Sequence, residues 1–160
     1  MPNNPSPSNS PSPDDELARI IMRIESGCRF SAMRFEPDVY GRMCAQPDQV
    51  PLLNKIRAAN LCDLDTADVI FSTSYGLFQL MGFNLYDLGF TGTVLQFWIS
   101  SNLQREYFAR FLDRNGINYT WSQLKANAGL LEKFVSVYNG PGNVEAYRYA
   151  MLRSARGLGL

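Results

Sequence analysis

The sequence predicts a mainly α fold, a compact orthogonal bundle of helices with at most a small irregular β element. Three observations predict it. Apolar residues recur at three- and four-residue steps along much of the chain, two Thr-x-x-Gln capping boxes mark helix starts, and no long run alternates apolar with polar as half-buried strands do. The 160 residues are 46% hydrophobic, enough for one domain with a sizeable core, since domains usually run about 100 to 150 residues.

Met1 to Ser10 is dominated by Pro, Ser and Asn and is too poor in apolar groups to pack. Residues 1–12 are therefore expected to form a flexible tail, and residues 13–160 the folded domain. Ser12-Pro13-Asp14-Asp15 offers a cap hydroxyl, a proline at the first helical position and carboxylates facing the positive helix end. In the helix that follows, Leu17, Ile20, Ile21 and Ile24 form the apolar stripe, Arg19 and Arg23 lie on the other side, and Gly27 supplies the stop. Glu25 falls in the last turn, at the border of that stripe. Partial desolvation and the negative helix end both predict a raised pKa for it.

Ser31 to Pro47, with its aromatics, Pro37 and Gly41, reads as irregular loop or short strand. Helical spacing returns from Val50 to Leu61 through Leu53, Ile56 and Asn60. Asp63, Asp65 and Asp68 lack the glycine punctuation of a calcium loop and suit helix-start caps. The apolar run Ala67 to Phe71 gives way to Ser72-Thr73-Ser74, whose hydroxyls compete with regular helix and predict a break beside a cleft. The box Thr93-Val94-Leu95-Gln96 opens a helix expected to reach Gly116, with Val94, Phe97, Trp98, Phe108, Phe111 and Leu112 on one face. Thr120 and Gln123 start a short helix expected to end at Gly129. Leu130 to Tyr138 and Asn143 to Arg156 complete the set.

Fifteen basic and fifteen acidic residues cancel, so the field that attracts duplex nucleic acid is absent and no nucleic-acid partner is expected. The chain has no histidine, which removes Ser-His and Cys-His triads, histidine general bases and most zinc sites. Acid-base chemistry falls to carboxylates, lysine or tyrosine. Cys28, Cys44 and Cys62 are widely spaced, and imply neither a disulfide framework nor a metal cluster; free thiols in a reducing cytoplasm are expected. No metal or other cofactor is expected. The first residues lack the positive start and apolar stretch of a secretory signal, and nothing later is long and apolar enough to span a bilayer.

Three segments carry the functional signal: Glu25-Ser26-Gly27, Ser74-Tyr75-Gly76-Leu77-Phe78-Gln79-Leu80-Met81, and Val137-Tyr138-Asn139-Gly140. Their order and approximate spacing resemble the goose-type lysozyme and lytic transglycosylase superfamily, in which a helix-terminal Glu-Ser precedes Gly-Leu-Met/Phe-Gln and then Ala-Tyr-Asn. Phe35-Glu36 and the run Gly76 to Asn84 are more closely similar to the N-acetylmuramidase domain of phage endolysins. The resemblance covers roughly residues 16 to 155. It implies a lysozyme-like fold and cleavage of the β-1,4 bond between N-acetylmuramic acid and N-acetylglucosamine in peptidoglycan.

In that chemistry a protonated carboxyl must donate to the glycosidic oxygen as an oxocarbenium-like transition state forms. The resemblance gives this role to Glu25. Glu36 is the candidate second carboxylate, assisting a water or stabilising the sugar cation; alternatively it pairs with Arg34 or Arg42 to tie down its loop. Pro37-Asp38 follows Glu36 where the family tends to have Arg/Gly-His. Ser26 either orients the acid or the sugar, or simply ends the helix. Ser74, Gly76 and Gln79 belong to the segment expected to line the sugar cleft, the glycine admitting close approach of the ligand. Tyr138 resembles the family tyrosine whose hydroxyl reaches the catalytic carboxyl, and Asn139 is a saccharide contact or a helix cap.

The expected protein is thus a monomeric muramidase, a phage endolysin or virion lysin acting on peptidoglycan glycan strands. It would be made in the cytoplasm without a signal peptide and reach the wall by a holin lesion or from the virion. The alternatives are a lytic transglycosylase, in which the muramyl 6-hydroxyl closes onto C1, and a non-catalytic wall-binding or virion structural module with the same fold.

Overall fold

The computed structural model describes residues 14–43 and 46–160. The tail expected at 1–12, the cap at Ser12-Pro13 and Cys44 lie outside the described residues. Among the described residues the chain forms α-helices throughout and one three-stranded antiparallel sheet, the mainly α fold that the periodicity predicts. No helix among them is long and apolar enough to cross a membrane.

Helix α1, Asp15–Glu25, is capped by Asp14, whose carboxylate accepts from the Glu16 N–H and also from the Trp121 N–H far along the chain. One carboxylate therefore fixes the start of α1 against a distant helix. Leu17, Ile20 and Ile21 are buried and Ile24 packs at the edge. The helix ends where Gly27 turns to positive φ and the Cys28 N–H returns to the Met22 carbonyl.

The segment expected to be irregular holds a short edge strand, β1 (Met33–Phe35), and a helix, α2 (Pro37–Met43). Pro37 opens that helix instead of breaking it, because the first helical N–H has no partner to lose. Helix α3, Val50–Asn60, ends at Leu61 in the left-handed conformation. Helix α4, Leu64–Phe71, starts as the caps predict, with the Asp63 side chain accepting from the Thr66 N–H. Hydrogen bonding by Thr66, its side chain first and its N–H second, holds the Asp63 carboxyl below its ordinary pKa.

The hydroxyl cluster then ends α4 and forms β2, Thr73–Tyr75, the middle strand of the sheet. Arg34 stands opposite Ser74 on one side, and Ser74 opposite Met81 of β3, Leu80–Met81, on the other. Helix α5, Gly82–Asp87, follows at once.

The capping box at Thr93 and Gln96 is present in full, but it opens only a short helix, α6 (Val94–Trp98). The long helix expected up to Gly116 is broken, and α7, Ser101–Arg114, starts anew with the Ser100 hydroxyl accepting from the Leu103 N–H. The break frees the Phe97 and Trp98 carbonyls, both of which accept from the Gln104 side chain.

The second box is also complete, at the start of α8, Trp121–Ala126. Asn127 ends α8 and caps α9, Ala128–Asn139, so Gly129 lies inside a helix and not at its end. The side-chain oxygen of Asn127 accepts from the Leu130 N–H, and a cap of this kind outweighs the modest cost of one glycine. The last helix, α10, Val144–Gly157, packs against α1 and α9. The core centres on Phe78, stacked on Phe108 at 4.0 Å between ring centroids, and on Phe134, Ile20, Ile21 and Trp121.

Candidate active site

Glu25 is the last residue of α1, half-buried, and lines a cleft of about 180 Å³ together with Arg34 and Ser74 of the sheet, Gln79, Tyr138 and Asn139. The end of α1, strand β1, the β2–β3 hairpin and the end of α9 meet here. A neighbouring groove shares Met81, Asn84, Phe111 and Tyr138 with the cleft.

Burial raises the pKa of Glu25, the largest effect on it. Two groups pull the other way: a hydrogen bond from the Tyr147 hydroxyl and the positive charge of Arg34. The negative charge of Glu36 adds a smaller upward push. The net result is a carboxyl that holds its proton to higher pH than an exposed glutamate, the state required of a general acid.

The tyrosine that reaches Glu25 is Tyr147 of α10, not Tyr138 as the motif suggests. Tyr138 donates instead to the Phe78 carbonyl, while its ring packs among Phe108, Phe111, Phe134 and Tyr147. It borders the cleft by one edge and pins the hairpin by its hydroxyl. Tyr147 has no motif around it, and from sequence it is one more apolar-face residue of α10. Only the packing of α10 on α1 brings it to the carboxyl.

Ser26 and Gly76 stand behind the wall of the cleft and do not line it. The buried Ser26 hydroxyl lies 3.0 Å from both the Met22 and Leu77 carbonyls and shares its one proton between them, joining the end of α1 to the hairpin. Gly76 has φ of 78°, and a Cβ there would sit 2.4 Å from the Gln104 side chain. The glycine makes room for Gln104, where the sequence suggested room for a ligand. Gln104, unmarked by any motif, is fully buried, accepts from the Leu77 N–H and shares its two amide protons among the Phe30, Phe97 and Trp98 carbonyls.

Gln79 adopts a positive φ of 47°, unusual for a residue with a side chain. Its amide donates to the Gly76 carbonyl, and its side-chain oxygen accepts from the Ser74 hydroxyl. Ser74 and Gln79 thus form one hydrogen-bonded patch of the cleft floor. Asn139 ends α9 at the rim, exposed beside Gly140.

Glu36 follows β1, its N–H donating to the Ser72 carbonyl, and it does not line the cleft. It is 29% exposed and forms a salt bridge with the Nε of Arg34, which is 62% exposed. Arg42, the other partner considered, bonds the Asp38 carbonyl. No cluster of three or more His, Cys, Asp or Glu suited to a metal occurs among the described residues. Cys28 is exposed and free, and Cys62 is free and half-buried.

A model of the N-acetylmuramidase family matches residues 45–156. The chain belongs to the N-acetylmuramidase family. It is also similar to the endolysin of Enterobacteria phage PRD1, with 39% identity over 144 residues that cover 88% of this chain and 95% of that protein. No solved structure matches the chain. The span matched by the family model contains the Gly76 to Gln79 turn, Tyr138 and Tyr147, whereas Glu25 and Glu36 precede it. Glu25 lines the cleft, whereas Glu36 does not and meets it only through its ion pair with Arg34.

Proposed function

We propose that this protein is an endolysin that hydrolyses the β-1,4 bond between N-acetylmuramic acid and N-acetylglucosamine, with Glu25 as the general acid. The observation that carries the proposal is a half-buried carboxyl of raised pKa, oriented by Tyr147, at the floor of a cleft in an N-acetylmuramidase chain. Glu25 gives its proton to the leaving sugar oxygen as positive charge develops at C1. Glu36 is the second carboxylate in this proposal, acting on the water that discharges the cation, with Arg34 holding it in place. Ser74, Gln79, Tyr138 and Asn139 offer the hydroxyl and amide groups that sugar hydroxyls and N-acetyl groups bond. The protein works as a monomer on the bacterial wall, reached through a membrane lesion or from a virion.

The test is a cell-wall zymogram combined with mass spectrometry of the soluble products. Glu25→Gln is expected to lose lytic activity by about 10²- to 10⁴-fold, the contribution of a positioned general acid, with the fold intact. Undiminished clearing by that variant would remove the proposal. Reducing muramic ends are expected; dominant anhydro ends, lighter by one water, would replace hydrolysis by internal closure and leave Glu25 in place. Glu36→Gln digesting walls at the wild-type rate would reduce Glu36 to a loop anchor.

A further inference from the structure

The cleft holds one cation among the described residues, Arg34, and the glycosidic bond itself presents no charge for it to meet. Arginine carries five N–H donors in a planar fork. In this structure only Nε has a protein acceptor among the described residues, the Glu36 carboxylate. The two Nη groups, four donors in all, have none. Such a guanidinium is anchored on one edge and open on the other, the arrangement suited to a second carboxylate.

The sheet explains why the group is held there. Arg34 is paired in register with Ser74, whose hydroxyl lies 3.2 Å from the Arg34 carbonyl and shares its one proton between that carbonyl and Gln79. Strand alternation puts Met33 and Phe35 on the opposite face, both exposed. The backbone is thus tied to the cleft floor, and the side chain stands over the rim beside Glu25.

Resting on the muramidase function proposed above, we infer that Arg34 is a specificity residue that binds a carboxylate of the peptide substituent on the muramic acid unit, and so selects wall glycan over neutral glycan. The sugar ring is then read by the Ser74 and Gln79 patch, and its anionic substituent by the guanidinium. Glu36 orients the fork and moderates its charge, so that Arg34 attracts the substrate without closing over Glu25.

The experiment crosses a change in the enzyme with a change in the substrate. Peptidoglycan strands bearing their peptide stems are compared with the same strands after conversion of the carboxylates to methylamides, using the wild type, Arg34→Gln and Arg34→Lys. Neutralising the strands is expected to raise the KM of the wild type about tenfold, a normal size for a charge-assisted contact. Arg34→Gln should show that rise in KM already on native strands and no further rise on neutral ones. Because Arg34 also lowers the Glu25 pKa and holds Glu36, its effect on kcat and the upward shift of the alkaline limb should be the same on both substrates. Arg34→Lys keeps the charge without the fork and should fall between.

Binding of the strands on a Glu25→Gln background supplies the same comparison without catalysis. A failure of the muramidase proposal and a failure of this inference are therefore told apart. A wild type indifferent to neutralisation overturns the inference. So does an Arg34→Gln variant whose KM rises equally on native and neutral strands, since Arg34 would then act only through Glu25 and Glu36.

Discussion

On the helical wall of the cleft, Glu25 ends α1 against buried Ser26 and Tyr147, with Gln104 tying down the turn behind. On the strand wall, Arg34 and Glu36 hold each other near the surface. The chemistry of the first carboxyl is set by lost water, because burial outweighs both the hydrogen bond and the nearby cation. The second is compensated by an arginine that remains largely in solvent. Groups on the helical wall are over-determined by packing, whereas those on the strand wall are adjustable, and substitutions should divide accordingly.

The largest effect on stability is expected from Gly76→Ala. The residue has positive φ and its new Cβ would meet Gln104 at 2.4 Å, so about 2 kcal/mol or more should be lost. Chemical denaturation gives the value. A loss no larger than that of a surface substitution would show the helical wall to be less rigid than described.

Tyr147→Phe should come next and act on chemistry more than on fold. Without its hydroxyl the Glu25 carboxyl loses orientation, and turnover should fall about tenfold, a modest cost for a lost positioning contact. The hydroxyl also lowers the Glu25 pKa. Its removal should move the alkaline fall of activity to higher pH. A shift in the opposite direction in the rate profile would contradict the assignment of the bond.

The raised pKa of Glu25 has a consequence for stability. The folded state binds this proton more tightly than the unfolded chain does, so its stabilising contribution is complete below the ordinary carboxyl pKa. That contribution is lost as pH rises through the raised value. Glu25→Gln carries no charge to bury, and should melt above the wild type at neutral pH, with the gap closing toward acid. Thermal unfolding across a pH series checks this, and a constant gap would contradict the desolvation argument.

The smallest effect belongs to the strand wall. Breaking the Arg34 and Glu36 pair should change stability by about 0 to 1 kcal/mol, the range for solvent-screened ion pairs. A double-mutant cycle that found a coupling well above this would move the pair into the packed class and erase the contrast between the walls.

Much of this was legible in the residues. The two capping boxes are realised atom for atom at Thr93 and Thr120, since a cap is satisfied within four residues. The stripe of α1 predicted both its buried face and the place of Glu25 at its end. The split between α6 and α7 was not legible, because Ser100 becomes a cap only when Gln104 reaches back to the carbonyls the break releases. Among candidate site residues, Ser74, Gln79, Tyr138 and Asn139 do line the cleft with Glu25, while Glu36, Ser26 and Gly76 do not. Arg34 appeared in the sequence only as a possible partner of Glu36, and its place in the cleft comes from the register of β1 on β2.

By itself the sequence determined the fold class, the helices that carry their own start signals, the absence of histidine chemistry and the acidic residue at the end of α1. These depend on neighbours three or four residues apart, a range over which backbone geometry dictates contact. The tertiary structure alone decided that Tyr147 and not Tyr138 holds Glu25, that Gly76 yields space to Gln104, and that Arg34 faces the same cleft. They rest on the meetings of Tyr147 with Glu25, of Gln104 with the Gly76-Leu77 turn and of Arg34 with Ser74, residues tens to more than a hundred positions apart, and such meetings are set by how whole helices and strands pack, which no local pattern encodes.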